Sequence, residues 1–237
     1  MATCGLRNVG GPVDENGEHF GLHGRISNLP AENVNTREDW VDDEYILEVS
    51  GKVREANTFG ENLMLNRKIT VSSSTNEIIL QDRICNEGFR PEPLLLLYHF
   101  NWGSPLLAAD SQLLLNTQST RVRDANAAPG SWNDFSDPVH GIDEVVYFHE
   151  PIAGVDHIAG YELRNDALGI GIRVSWDQRE LPFLTQWKML GEGEYVLGLE
   201  PGNCYSGGRT AELKANRGEI LQSFEQKEVM IRIQFLD

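Results

Sequence analysis

Leu94-Leu95-Leu96-Leu97-Tyr98-His99-Phe100-Asn101-Trp102-Gly103-Ser104-Pro105 is the stretch whose reading decides the fold. Four consecutive leucines fall far short of the roughly 20 apolar residues that a membrane helix needs. They read instead as a strand buried on both faces. That strand delivers His99, Asn101 and the rings of Phe100 and Trp102 to its exit. A buried strand ending in polar and ring-bearing side chains is a common floor for a binding site. From this stretch alone, a core histidine beside a strand end reads equally well.

Working outward, alternation of apolar and polar residues dominates on both sides. Tyr45, Leu47 and Val49 share a face against Glu44, Glu48 and Ser50, with Ile46 as the exception. Leu63, Leu65, Arg67, Ile69 and Val71 repeat the period-two habit, as do Ile78 and Leu80 before Cys85, and Asn86-Glu87-Gly88 makes a turn into the leucine run. Further strands are predicted at Val145 to Phe148, Ile158 to Leu163, Leu168 to Trp176, Leu181 to Leu190, Glu194 to Asn203 and Val229 to Phe235. Residues 1 to 43, rich in Gly, Asn, Pro and acidic side chains, read as loop with short strands at most. Residues 116 to 142 read as one long connection in which Trp132 and Phe135 mark a lid or binding loop. No long window keeps a 3.6-residue period and no internal repeat is present. The expected class is all-β, a large antiparallel β-sandwich, as a single domain over residues 1–237.

Composition removes several classes of function. The net charge of -16 and pI near 4.7 repel phosphate backbones and anionic bilayers, and no basic cluster offsets them, so neither nucleic acid nor membrane is an expected partner. Cys4, Cys85 and Cys204 are odd in number, far apart and without metal-ligand spacing, which fits reduced thiols in a cytoplasmic protein. The N-terminus lacks the basic and apolar regions of a signal peptide.

The groups able to do chemistry are His23 and Arg25 in Leu22-His23-Gly24-Arg25, His99, the neighbours Trp187 and Lys188, and Glu200 in Leu199-Glu200-Pro201. Glu200 sits where a buried strand opens into a turn. Burial there would raise its pKa toward that of a general base usable near neutrality; pairing with an arginine such as Arg209 is the alternative.

Thr3-Cys4-Gly5-Leu6, Leu22-His23-Gly24-Arg25-Ile26-Ser27-Asn28, Phe59-Gly60-Glu61-Asn62-Leu63, Tyr98-His99-Phe100-Asn101-Trp102-Gly103 and Leu199-Glu200-Pro201-Gly202-Asn203 together resemble a bacterial branch of the aldose 1-epimerase (galactose mutarotase-like) superfamily, a branch long described as a domain of unknown function. The likeness covers nearly the whole chain. It implies a supersandwich of antiparallel strands with an open carbohydrate cleft, and a cofactor-independent isomerase acting on a free sugar or sugar acid. It places the catalytic roles on Glu200, as base toward the anomeric hydroxyl, and His99, as acid toward the ring oxygen. His23, Arg25 and Asn101 are implied substrate ligands, with Trp187 stacking on the sugar, Lys188 beside it and Asp156 in the place of a sugar-gripping aspartate. Arg25 stands where the mutarotases usually have glycine, which opens the way to an acidic substrate. The resemblance also implies additional strands ahead of Thr3, so a chain starting at Met1 is expected either to be a truncated form or to lack part of the first sheet, which would leave edges open and favour self-association. Two other readings stay open: a non-catalytic carbohydrate-binding or regulatory module, and a metal-dependent sugar isomerase built on His19, His23, His99 and Glu200.

Overall fold

The structure, a computed structural model, describes residues 1–124 and 131–237. In chain order the first strands are β1 (Ala2–Cys4), β2 (Val13–Glu15), β3 (Glu18–Phe20), β4 (Glu32–Val41), β5 (Glu44–Ala56), β6 (Asn62–Ser72), β7 (Glu77–Asn86) and β8 (Glu92–Leu94). They are followed by β9 (Leu97–Gly103), β10 (Gln112–Leu115), β11 (Thr117–Val122), β12 (Val145–Pro151), β13 (Ile158–Asn165), β14 (Ile170–Asp177), β15 (Phe183–Gly191) and β16 (Glu194–Gly202). Helix α1 (Arg209–Lys214), β17 (Glu219–Leu221) and β18 (Gln226–Leu236) complete the chain. The class is all-β, as the alternation predicts. The chain groups into two compact units, one of Ala2–Leu97 with Asn203–Arg232, the other of Tyr98–Gly202 with Met1 and Ile233–Asp237.

In the first unit, β7, β6, β5 and β4 lie side by side and antiparallel. The in-register column Val53, Leu65 and Ile84 shows how the period-two pattern becomes a buried face. Arg67, the odd charged member of that face in the sequence, lies directly opposite Asp82 and grips it with two bonds of 2.8 and 2.6 Å. A buried carboxylate is tolerated because a guanidinium fork satisfies both of its oxygens.

Two sequence expectations change here. The loop predicted over residues 1 to 43 contains the ten-residue strand β4. It sits at the end of its sheet and is exposed at every position, so no buried face imposed an apolar period on its sequence. Ladder hydrogen bonds to β5 and the Trp40–Tyr45 ring contact, with centroids 5.2 Å apart, hold it instead. The leucine run is also not one strand: β8 ends at Leu94 and β9 begins at Leu97, with all four leucines at most 1% exposed. Between the strands the backbone bonds elsewhere. Asn203 takes the Leu96 N–H on Oδ1 at 2.8 Å and gives Nδ2 to the Leu94 carbonyl at 3.0 Å, while Leu95 N–H donates to the Leu6 carbonyl at 2.8 Å. Four buried leucines satisfy a both-faces-buried strand and a buried kink equally well, and burial alone was what the sequence reported.

In the second unit β9, β16, β15, β12 and β11 form one run of neighbours, and β10, β13 and β14 another. Tyr98, Tyr161 and Trp176 are each at most 1% exposed and fill its core. The connection predicted over residues 116 to 142 holds strand β11, paired with β12; residues 125–130 of that connection lie outside the described residues. Thr117, Ser119 and Thr120 gave β11 no apolar alternation to read. The six-residue helix α1 was likewise too short to show a helical period. Among the described residues no helix is long and apolar enough to cross a membrane.

Asn203→Ala removes both bonds of the kink at once. Each orphaned backbone group costs about 1–3 kcal/mol, so the unfolding free energy from urea denaturation should fall by at least that much, through a lower midpoint at unchanged slope.

Candidate active site

Glu200 lies on β16 between two glycines of the same face, Gly198 and Gly202, and its carboxylate is 1% exposed. The β15–β16 register sets Thr185 opposite Glu200 and Trp187 opposite Gly198, so Thr185, Trp187, Gly198 and Glu200 share one side of the sheet. On β9, His99 reaches the same carboxylate: its Nε2 is 3.0 Å from Glu200 Oε1. That oxygen has no aligned hydrogen-bond donor among the described residues, and neither has the buried hydroxyl of Thr185. The imidazole edge meets the Trp187 ring, with centroids 5.8 Å apart and planes at 70°. Trp187 in turn gives its indole N–H to Glu144 at 2.6 Å.

Burial is the chief cause that raises the Glu200 pKa, to about 8, with the charge of Glu144 adding to it. A carboxyl of this kind is half protonated just above neutrality, where it can accept and return a proton.

Gly198 makes the arrangement possible. A Cβ at this position would lie 2.5 Å from Glu200 Oε1, 3.1 Å from Trp187 Cβ and 3.3 Å from His99 Cε1. The absent side chain is the space in which imidazole and carboxylate meet.

The remaining predicted residues fall as follows. Asn101 shares the His99 side of β9 and is exposed. Lys188 does not join Glu200: one residue beyond Trp187, it points to the opposite side of the sheet, where its ammonium donates to the Ser131 and Asp134 carbonyls at 3.0 and 2.8 Å. Asp156 sits in an exposed turn and accepts the Ile158 N–H at 3.1 Å. In the first unit, His23 holds a left-handed backbone, φ 58°, and accepts the Gly10 N–H on Nδ1 at 3.3 Å; burial lowers its pKa. Arg25 there is already neutralised by Glu18 at 3.1 Å and Glu61 at 3.6 Å, which weakens the case for it as an acid-sugar ligand. Among the described residues no three His, Cys, Asp or Glu side chains cluster as a metal site requires.

Sequence reading missed Thr185, Gly198, Glu144 and the pair Trp102–Tyr161, in which the indole N–H donates to the phenol oxygen at 3.1 Å. The Tyr161 hydroxyl is near enough to Glu200 for their charges to interact. Only cross-strand register brings these residues to the site, and no single strand's pattern contains it.

Residues 1–235 match a family described as a domain of unknown function, DUF4432. The chain belongs to that family. Comparison with curated proteins gives no match. Among solved structures, it is similar to a candidate aldose 1-epimerase from Klebsiella pneumoniae, at 26% identity and TM-score 0.92, over 99% of this chain and 62% of that one. The DUF4432 chain thus spans under two thirds of that protein's length. It is also similar in fold to a galactose mutarotase-like protein from Clostridium acetobutylicum (12% identity, TM-score 0.67, 98% of this chain and 79% of that one) and to an aldose epimerase homologue from C. elegans (15%, 0.62, 98% and 81%). The fold is the galactose mutarotase-like β-sandwich.

Gly198→Ala tests the packing at the centre of the site. The added methyl has no free space, so overpacking of about 1–3 kcal/mol is expected, read as a lower denaturation midpoint.

Proposed function

We propose that this DUF4432 protein interconverts the anomers of a free sugar or sugar acid, as a cofactor-independent isomerase of the aldose 1-epimerase type. The observation that carries the reading is the pair Glu200–His99, a buried carboxyl with a pKa of about 8 placed 3.0 Å from an imidazole nitrogen. The fold of the solved relatives supports it.

In this reading Glu200 removes the proton of the anomeric hydroxyl while His99 gives a proton to the ring oxygen. The C–O bond of the ring breaks and an open-chain aldehyde forms. Rotation about the adjacent C–C bond presents the other carbonyl face. The ring hydroxyl then attacks, His99 recovers its proton and Glu200 returns the one it took, so the enzyme ends unchanged. Each positioned proton transfer is worth about 10²–10⁴ in rate. Trp187 supplies a ring for the apolar face of a pyranose, and Asn101, exposed beside His99, supplies amide groups for hydroxyls. Free thiols at Cys4, Cys85 and Cys204 support a reducing, cytoplasmic setting.

Anomer exchange measured by NMR across neutral aldoses, uronic acids and sugar phosphates tests the proposal. At least one sugar should equilibrate faster with wild-type protein, and Glu200→Gln should lower that rate by about 10²–10⁴; binding without acceleration would instead select a non-catalytic module. With Glu200 the base and His99 the acid, kcat/KM should pass through a maximum and fall on both sides of it, at low pH because Glu200 keeps its proton and at high pH because His99 has lost the one it donates.

The same shift has a stability counterpart with a definite sign. The folded carboxyl keeps its proton up to about pH 8, whereas the unfolded one loses it near 4.3. Wild-type stability should therefore fall as pH rises from about 4.3 to 8, relative to Glu200→Gln, and run parallel to it outside that window.

A further inference from the structure

On the side of the β15 strand turned away from Glu200 lies a set of buried polar groups that the proposed chemistry does not use. Gln186 and His149 are 0% exposed and Lys188 is 9% exposed. Burying such groups is costly unless each finds a partner, and Gln186 and Lys188 find theirs on one short segment. Gln186 Nε2 donates to the Trp132 carbonyl at 2.7 Å, and Lys188 Nζ donates to the carbonyls of Ser131 and Asp134. His149 bonds Gln186 at 2.9 Å and Thr120 at 2.9 Å, and its ring meets the Trp132 indole edge-on, centroids 5.4 Å apart. The outcome is a tryptophan fixed in position from beneath by three buried side chains.

Trp132 forms one wall of a groove of about 700 Å³ in the second unit, inside the range of about 300–1,000 Å³ typical of small-ligand sites. The floor is the outward face of β13 and β14, where Gly160 lies opposite Ser175 and Glu162 opposite Arg173. Gly160 keeps that floor flat, since a Cβ there would stand 2.6 Å from the Val174 carbonyl. Leu114 and Ile158, 50% and 43% exposed, add apolar surface at the rim. Arg173 and Glu162 are bonded to each other at 2.7 Å, so the lining charges cancel while polar atoms remain beside an indole face.

We propose that this groove is a second binding site, distinct from the Glu200 pair, for a neutral carbohydrate that stacks on Trp132 and places hydroxyls over Ser175 and the Glu162–Arg173 pair. Indole against a pyranose face supplies apolar contact at low entropic cost, and a bonded carboxylate–guanidinium pair offers acceptors and donors to adjacent hydroxyls without selecting for charge. The side chain of Tyr161, by strand alternation, points from this floor toward the core and Trp102.

The test uses methyl glycosides of glucose, galactose and mannose, which have no free anomeric hydroxyl and so give no turnover, together with methyl glucuronide. Saturation-transfer NMR and titration of the intact protein should detect binding of at least one neutral glycoside. Trp132→Ala should weaken it about tenfold or more, Ser175→Trp should abolish it by filling the groove, and Glu200→Gln should leave it unchanged. Circular dichroism melting of both groove variants shows whether each is folded. No neutral glycoside bound, binding indifferent to both folded groove variants, binding lost in Glu200→Gln, or binding of the glucuronide alone would each overturn the proposal. These outcomes are independent of anomer exchange, which reports on Glu200.

Discussion

A carboxylate removed from water is the condition on which the proposed chemistry rests. Glu200 has lost its hydration, and what surrounds it does not restore the ionised form: glycines on its own face, the Thr185 hydroxyl, and an imidazole at 3.0 Å that is off the line of a hydrogen bond. Had an arginine reached it, the group would be an anion of low pKa and a structural ion pair. Arg209, the partner weighed for it on sequence, bonds Glu15 at 2.6 Å instead. The carboxyl is left with a proton it can exchange near neutrality.

The second unit uses the alternation of a single strand to keep two tasks apart. Thr185 and Trp187 face Glu200; Gln186 and Lys188, their immediate neighbours, face the opposite way and hold Ser131 to Asp134 in place. Two residues adjacent in sequence cannot serve the same face of a sheet. One strand therefore supports both the proposed ring-opening pair and the proposed carbohydrate groove.

The first unit handles charge differently. Three guanidinium groups, of Arg7, Arg25 and Arg209, lie 5.0, 5.7 and 5.0 Å from the ring of Phe20, and Glu15, Glu18, Glu61 and Glu92 meet them in ion contacts. Positive charge is thus absorbed by carboxylates and by an aromatic face. For an acidic chain, this leaves less free cationic surface than Arg25 suggested in the linear sequence.

Much of the fold was readable because burial on one face imposes a period of two. Leu63 to Val71 and Ile170 to Val174 carry that period, and their strands fell where it placed them. His99 and Glu200 were readable as a pair only through ordered motifs resembling a known superfamily. Strand β4 was silent because neither of its faces is covered, and the kink at Leu95 was silent because leucine is equally content in a buried strand or a buried turn. The sequence by itself determined the all-β class and placed His99 and Glu200 among the residues to watch. Only the tertiary structure decided that Lys188 faces away from Glu200, that Gly198 provides the space where His99 meets it, and that Trp132 is held against a groove. Those facts depend on cross-strand register and on which side of a sheet a residue falls, and both are set by chain segments far apart in sequence.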